Sequence, residues 1–334
     1  MIEIPTQNVC LVTGGAGFIG SHLVERLVAR GDHVIIIDNL STGCLHNLDG
    51  IDANRITVLQ TTVTEGLAEL KPGACHEIYH LAAAVGVRLV IEKPVHTIET
   101  NVHETMAVLR YATESLTPIL IASTSEVYGK STRIPFAEDD DVVYGPTIYP
   151  RWSYACSKAI DEFLALAYHR EDGLPVTIPR FFNTVGPRQV GGYGMVLPRF
   201  VERALAGQPL EVHGDGEQTR CFCDVRDVVD LLPALLSHPK ASGQVFNVGH
   251  DQPIGIRDLA TLVCRTLNSK SEIQTIPYEE VFGADFDDLR NRQPDLSRLR
   301  ALTGFQSTIP LTQTILDLAA SLSKSNAAQT EASG

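Results

Sequence analysis

Positive charge is scarce in this sequence: 27 lysines and arginines face 40 aspartates and glutamates across 334 residues, for a formal charge of −13. Such a balance provides no field that attracts a nucleic-acid backbone or an anionic membrane, so an anionic ligand must meet positive charge placed locally. Also missing is any apolar run long enough to span a bilayer, and Met1 to Gln7 lack the charged-then-apolar layout of a signal peptide, so a cytoplasmic protein is expected. Cysteine is sparse. Its seven residues, an odd number spread from Cys10 to Cys264, do not make a disulfide framework, and free thiols are expected. Cys221 and Cys223 have no second cysteine or histidine pair nearby to complete four ligands; no metal site is expected, and alternate positions on one strand are the simpler reading. There is no internal repeat.

What is present is a hydrophobic content of 44%, enough for a large core in one big domain or two unequal ones. Short β-branched runs alternate with longer amphipathic stretches: Val9 to Thr13, Ser21 to Arg30, His33 to Ile37, Glu77 to Leu81 and Thr117 to Ser123. That order predicts βαβ units around a parallel sheet, with strands apolar throughout because helices cover both faces. Gly31 and Asp32 should end the first helix. After Arg180 the pattern loosens, with glycines and prolines from Gly186 to Gly216; Val225 to Leu236 reads as a helix and Gln244 to Val248 as a strand able to rejoin the sheet. The expected fold is therefore α/β, a doubly wound parallel sheet with a smaller, interleaved C-terminal domain. Residues 1–180, with 223–250 rejoining them, form the main unit; 181–222 and 251–322 form the smaller one; and the Ser- and Ala-rich 323–334 is a frayed tail.

Directly after the first predicted strand stands Thr13-Gly14-Gly15-Ala16-Gly17-Phe18-Ile19-Gly20. Glycines at 14, 17 and 20 permit a tight turn and close backbone approach, and the following helix N-terminus offers amides to a pyrophosphate. Asp38 ends the next predicted strand, where it can accept hydrogen bonds from an adenosine ribose and would repel a 2′-phosphate, so NAD is favoured over NADP. This is the Rossmann arrangement. Further on, Tyr154 and Lys158 lie four residues apart and share one face of a helix. A phenol is a poor base at neutral pH, but a neighbouring ammonium and a bound nicotinamide cation favour its phenolate, which can then take a hydroxyl proton.

With these motifs the sequence resembles the extended short-chain dehydrogenase/reductase family, which includes UDP-glucose 4-epimerases, UDP-glucuronate decarboxylases and nucleotide-sugar 4,6-dehydratases. The resemblance covers nearly the whole chain and extends to His80-Leu81-Ala82-Ala83, Ser123-Thr124-Ser125-Glu126-Val127-Tyr128-Gly129, Arg180-Phe181-Phe182-Asn183, Gly214-Asp215-Gly216-Glu217-Gln218-Thr219-Arg220 and Arg292-Gln293-Pro294-Asp295. It implies that Thr124, Tyr154 and Lys158 form a catalytic relay at the C4 hydroxyl of a UDP-sugar. NAD would lie against Gly14, Gly17, Phe18, Ile19, Asp38, Asn39, Ser41, Thr42, Gly43, Leu81, Ala82 and Ala83, with Tyr154 and Lys158 at the nicotinamide ribose. Asn183, Arg220 and Arg292 would hold the substrate diphosphate, which explains how an acidic protein binds an anion. A homodimer built from two helices of each Rossmann domain is also implied. Two positions depart from the pattern: Thr62 stands where many relatives carry an acidic residue near adenine, and Glu104 where many carry glycine.

The three subfamilies share a 4-keto sugar and diverge afterwards. Ser125 replaces the aspartic acid with which 4,6-dehydratases protonate a leaving hydroxyl, which argues against dehydration. Thr124-Ser125-Glu126, Pro150-Arg151-Trp152-Ser153-Tyr154 and Thr219-Arg220-Cys221-Phe222 resemble UDP-glucuronate decarboxylases, in which the glutamate and an arginine assist loss of CO2 and reprotonation of the ring. Conversely, Ala82-Ala83-Ala84-Val85-Gly86-Val87-Arg88 lacks the proline usual in UDP-xylose synthases and resembles epimerases, as does Asn183-Thr184-Val185-Gly186-Pro187-Arg188. The reading placed first is 4-epimerisation of UDP-glucuronate or UDP-glucose, with Arg88 or Arg188 available to neutralise a uronate carboxylate. Decarboxylation stands second. A regulator that senses dinucleotide without turnover is the non-enzymatic rival, and the presence of Thr124, Tyr154 and Lys158 argues against it.

Overall fold

The computed structural model describes residues 8–84, 90, 92–193, 195–282 and 289–332. Among them, eight strands form one parallel sheet: β1 (Val9–Thr13), β2 (His33–Ile37), β3 (Ile56–Leu59), β4 (Glu77–His80), β5 (Ile119–Ile121), β6 (Ser123–Thr124), β7 (Val176–Phe181) and β12 (Gln244–Val248). Their order across the sheet is β12-β7-β5-β4-β1-β2-β3, with β6 also paired to β7. The order reverses direction beside β1, so the carboxyl ends of β1 and β4 open a crevice there, the place where doubly wound sheets bind ligands.

Burial on both faces explains the apolar strands. Along β1, Cys10 and Val12 join one core with Val34 and Ile36 of β2, whereas Val9 and Leu11 join the other with Ile35 and Ile37. That is the two-residue period of a strand with no solvent face. The first core is closed by α1 (Phe18–Arg30) and α6 (Val225–Ser237), through Leu23, Leu27, Val228 and Leu232. The second is closed by α3 (Pro94–Thr113) and α4 (Ser153–Asp172), through Val108, Ala112 and Ala165; α2 (Val63–Ala68) adds Val63 and Leu67. Gly31 terminates α1 in the left-handed region, at φ 100°, and its amide reaches the carbonyls of Leu27 and Val28.

A third core gathers α5 (Val196–Leu205), α7 (Ile256–Thr266) and α10 (Leu311–Ala332) through Phe200, Leu259 and Ile315. Small pairings surround it: β8 (Thr184–Val185) with β11 (Cys223–Asp224), β9 (Leu210–His213) with β14 (Ile273–Ile276), and β10 (Thr219–Arg220) with both β13 (Ile254–Gly255) and β15 (Asn291–Arg292). Short helices α8 (Tyr278–Phe282) and α9 (Ser297–Thr303) complete the elements named here.

Two expectations are corrected. The run Thr117 to Ser123 is not one strand: Ala122 separates β5 from β6, and this break carries Thr124 out beside β7. Cys221 and Cys223 do not alternate along one strand; Cys223 opens β11 while Cys221 lies in the link after β10, both buried with their thiols pushed up to about 12 by desolvation.

Candidate active site

The glycine loop is built by contact as much as by turn geometry. Gly14 sits at φ +71°, and a Cβ there would stand 2.9 Å from the amide nitrogen of Ala82; at Gly20 it would meet the Gly14 carbonyl oxygen at 2.0 Å. The loop therefore lies directly on the Leu81-Ala82-Ala83 segment after β4. Gly17 caps α1 without a side-chain hydrogen bond, and the first turn carries no acidic residue, which suits it to an anion. Asp38, 8% exposed, accepts the Ala16 amide at 2.9 Å and the Leu40 amide at 2.8 Å, and Gly43 packs against its carboxylate. A carboxylate fixed in this way offers its remaining lone pairs to a ribose diol and disfavours a 2′-phosphate. Phe18, Ile19, Asn39, Ser41 and Thr42 line the same cleft.

This cleft, about 1530 Å³, runs on past Thr124, Tyr154 and Lys158 to Arg220 and Arg292. Tyr154 and Lys158 project from the first two turns of α4, where their four-residue spacing sets them on one face. Lys158 is buried and donates to Asp161 Oδ2 at 2.6 Å. Behind that pair runs a buried polar chain. The Ala82 amide donates to Thr13 Oγ1 (3.3 Å), which lies 2.8 Å from His80 Nδ1, and His80 Nε2 lies 3.1 Å from Thr105 Oγ1. Burial, aided by the charge of Lys158, lowers the His80 pKa to about 3, so the imidazole is neutral. Sequence reasoning passed over Asp161, though the spacing 154, 158, 161 places it on the Tyr/Lys face.

At the far end, Arg292 Nη1 lies 2.6 Å from Glu126 Oε1 and 3.5 Å from Ser125 Oγ. Both partners are largely buried, with side chains 9% and 13% exposed, and the buried Arg292 Nε has no hydrogen-bond partner among the described residues. The guanidinium thus retains a donor for an incoming anion. β15 brings Arg292 alongside β10, and so next to Arg220, which donates to the carbonyls of Thr219 and Arg290. Asn183 borders the cleft, with its amide nitrogen given to the Cys221 carbonyl.

Arg188 borders the cleft, and its guanidinium turns onto α1, to Glu25 at 2.8 Å and Ser21 at 3.4 Å. Arg88 lies outside the described residues. Thr62 forms a capping box with Glu65 at the start of α2. Glu104 accepts the Thr64 amide and hydroxyl at 2.8 and 2.9 Å, tying α3 to α2, which accounts for a carboxylate at that position.

The model of the NAD dependent epimerase/dehydratase family matches residues 10–249. The chain belongs to that family. Two relatives carry more specific names. A Bacillus cytotoxicus UDP-N-acetyl-alpha-D-glucosaminuronate decarboxylase is 41% identical over 302 residues, covering 90% of this chain and 93% of its own. UDP-glucuronic acid decarboxylase 4 of Arabidopsis thaliana is 37% identical over 308 residues, covering 91% of this chain and 66% of the longer plant protein. The crystal structure of UDP-glucose 4-epimerase from Thermus thermophilus in complex with NAD superposes with a TM-score of 0.80 at 28% identity, covering 94% and 98% of the two chains. This member of the epimerase/dehydratase family is accordingly an NAD-dependent enzyme on a Rossmann-type fold, and the glycine cradle, Asp38 and the Tyr154/Lys158 face fit that cofactor. No helix among the described residues is long and apolar enough to cross a membrane.

Proposed function

We propose that this enzyme is a UDP-uronate decarboxylase, with UDP-N-acetylglucosaminuronate as the first substrate to test and UDP-glucuronate the second. The observation that carries the reading is the Glu126–Arg292 pair beside Ser125, on the segment that also carries Thr124. The names of the two curated relatives support it. It reverses the order taken from sequence, where epimerisation stood first, because both curated relatives carry the name of a uronate decarboxylase.

In this reading Lys158 favours the phenolate of Tyr154, which takes the C4 hydroxyl proton, and Thr124 orients that hydroxyl. Held by the glycine loop and Asp38, a bound NAD would supply the acceptor, and later the donor, of the C4 hydride. The C4 ketone is β to the C6 carboxylate, so the C5–C6 bond breaks, CO2 departs, and the electron pair moves onto the C4 oxygen as an enolate, to which the Tyr154 phenol donates a hydrogen bond while keeping its proton. In this reading Arg292 meets the uronate carboxylate rather than the diphosphate that the resemblance assigned to it; a second carboxylate on its guanidinium would favour the protonated form of Glu126. Glu126 then delivers its proton to C5 and returns to its ion pair.

Incubation with each UDP-uronate, monitored by NMR, tests this. A UDP-pentose or 4-keto-pentose with released CO2 is expected; an uronate inverted at C4 with its carboxylate intact would make the enzyme an epimerase.

We further propose a homodimer through α3 and α4. These helices leave apolar pairs exposed one turn apart: Val95 and Ile98 on α3, at 66% and 41%, and Ile160 and Phe163 on α4, at 44% and 68%. Apolar residues so spaced make a helix stripe that a second copy of the same pair can cover.

A further inference from the structure

Lys158 is 2% exposed, and Asp161 is fully buried one turn beyond it on α4. A buried ammonium is costly unless a counter-charge and hydrogen bonds satisfy it. Here the contact is 2.6 Å from Nζ to Oδ2. Asp161 Oδ1 has no hydrogen-bond partner among the described residues, and burial pushes the Asp161 carboxyl above its ordinary range; the Lys158 ammonium, and after it the Thr105 hydroxyl of α3, act the other way and favour the charged form. An aspartate without a second strong partner, on a helix face otherwise devoted to Tyr154 and Lys158, is expensive to keep for packing alone.

We propose that Asp161 is a positioning residue: the buried counter-ion that keeps Lys158 in its ammonium form and fixes where that ammonium points. An ammonium has three donors in tetrahedral array. Anchoring one on Asp161 below leaves two directed away from it, toward the cleft that Lys158 lines with Tyr154.

The surrounding charges leave this role to Asp161. Glu162, next on α4, is taken by Arg180 of β7 at 2.7 Å and by the Ser123 hydroxyl of β6. His80 of β4 is held neutral by burial and by Lys158, and Thr105 of α3 is uncharged. Tyr154 is the remaining titratable group on the shared face.

Asp161→Asn keeps the shape of the side chain and removes its charge, with two effects. Lys158 loses its counter-ion and becomes easier to deprotonate, so the alkaline limb of the activity profile moves to lower pH. The negative charge opposing the Tyr154 phenolate also disappears, so the acid limb moves the same way.

The inference rests on the Tyr154/Lys158 reading and is independent of the later fate of the 4-keto sugar, so it is tested on the full-length enzyme in two ways. The rate of C4 oxidation is measured from pH 6 to 10 for wild type, Asp161→Asn and Asp161→Glu. The optimum of the asparagine variant is expected to move acidward by about one unit or more, with the glutamate variant in between. An optimum that stays put or moves alkaline overturns the proposal. Melting temperatures are then compared in the native and Lys158→Met backgrounds, without substrate. Asp161→Asn should lower Tm in the first and raise it in the second, where the carboxylate has no ammonium to balance. Equal lowering in both backgrounds would mean that Asp161 acts in packing and not through Lys158.

Discussion

Replacing Glu126 by glutamine separates the two halves of the proposed chemistry. The amide matches the carboxylate in shape and keeps a carbonyl oxygen for Arg292, which lies 2.6 Å away, but it can neither carry the charge nor hand over a proton. Truncating one partner of a buried pair typically costs about 3–5 kcal/mol. The amide keeps the hydrogen bond, so the loss here should be nearer the difference between a charge-assisted and a neutral bond, about 1–2 kcal/mol. A domain of ordinary stability survives that. A positioned general acid is worth about 10²–10⁴ in rate, so protonation at C5 should slow by at least about 100-fold, equivalent to about 2.7 kcal/mol at 1.36 kcal/mol per decade. In the proposed mechanism oxidation at C4 is the work of Thr124, Tyr154 and Lys158, and it should change less than about threefold by comparison. Single-turnover absorbance at 340 nm reports the oxidation, and NMR in deuterated water reports deuterium entering C5. Pentose formation within threefold of wild type would remove Glu126 from the mechanism. An equal drop in both steps would mean that the pair only supports the cleft.

Acid should weaken the fold before its carboxylates titrate. The His80 pKa falls from 6.5 to about 3 by burial and the Lys158 charge, and that of His213 falls to about 4 by burial and the charge of Arg199. Because the unfolded chain takes up these protons first, their contribution is complete above pH about 6.5 and declines toward the folded values; His80 alone removes about 2 kcal/mol between pH 6.5 and 5. Urea midpoints at those two pH values check this, and coincident midpoints would refute it. Phe163→Glu should convert the proposed dimer to monomer in light scattering while its melting temperature stays within a few degrees, since the ring is 68% exposed in the single chain; a dimer that persists would move the interface elsewhere.

Much of the cofactor half was readable because its constraints are local. Glycines at 14, 17 and 20 and an aspartate at the next strand end describe a loop whose geometry depends on a few consecutive residues, and the contact of Gly14 with Ala82 shows why a side chain is excluded there. The substrate half was less readable because long-range pairing decides it. Arg188 and Arg292 look alike in sequence, yet one turns onto Glu25 of α1 and the other onto Glu126. Glu104 had no explanation until α3 packed beside α2 and brought it to Thr64.

By itself the sequence determined the class of fold, the dinucleotide cradle and the Tyr154/Lys158 face, since strand period, helix period and glycine spacing act over a few residues. Only the tertiary structure decided which charges meet. It set Asp161 against Lys158 where both are buried, broke the strand at Ala122 to bring Thr124 forward, and joined Glu126 to Arg292 across 166 positions of chain. Those pairings depend on burial and distance, and neither is a local property of the sequence.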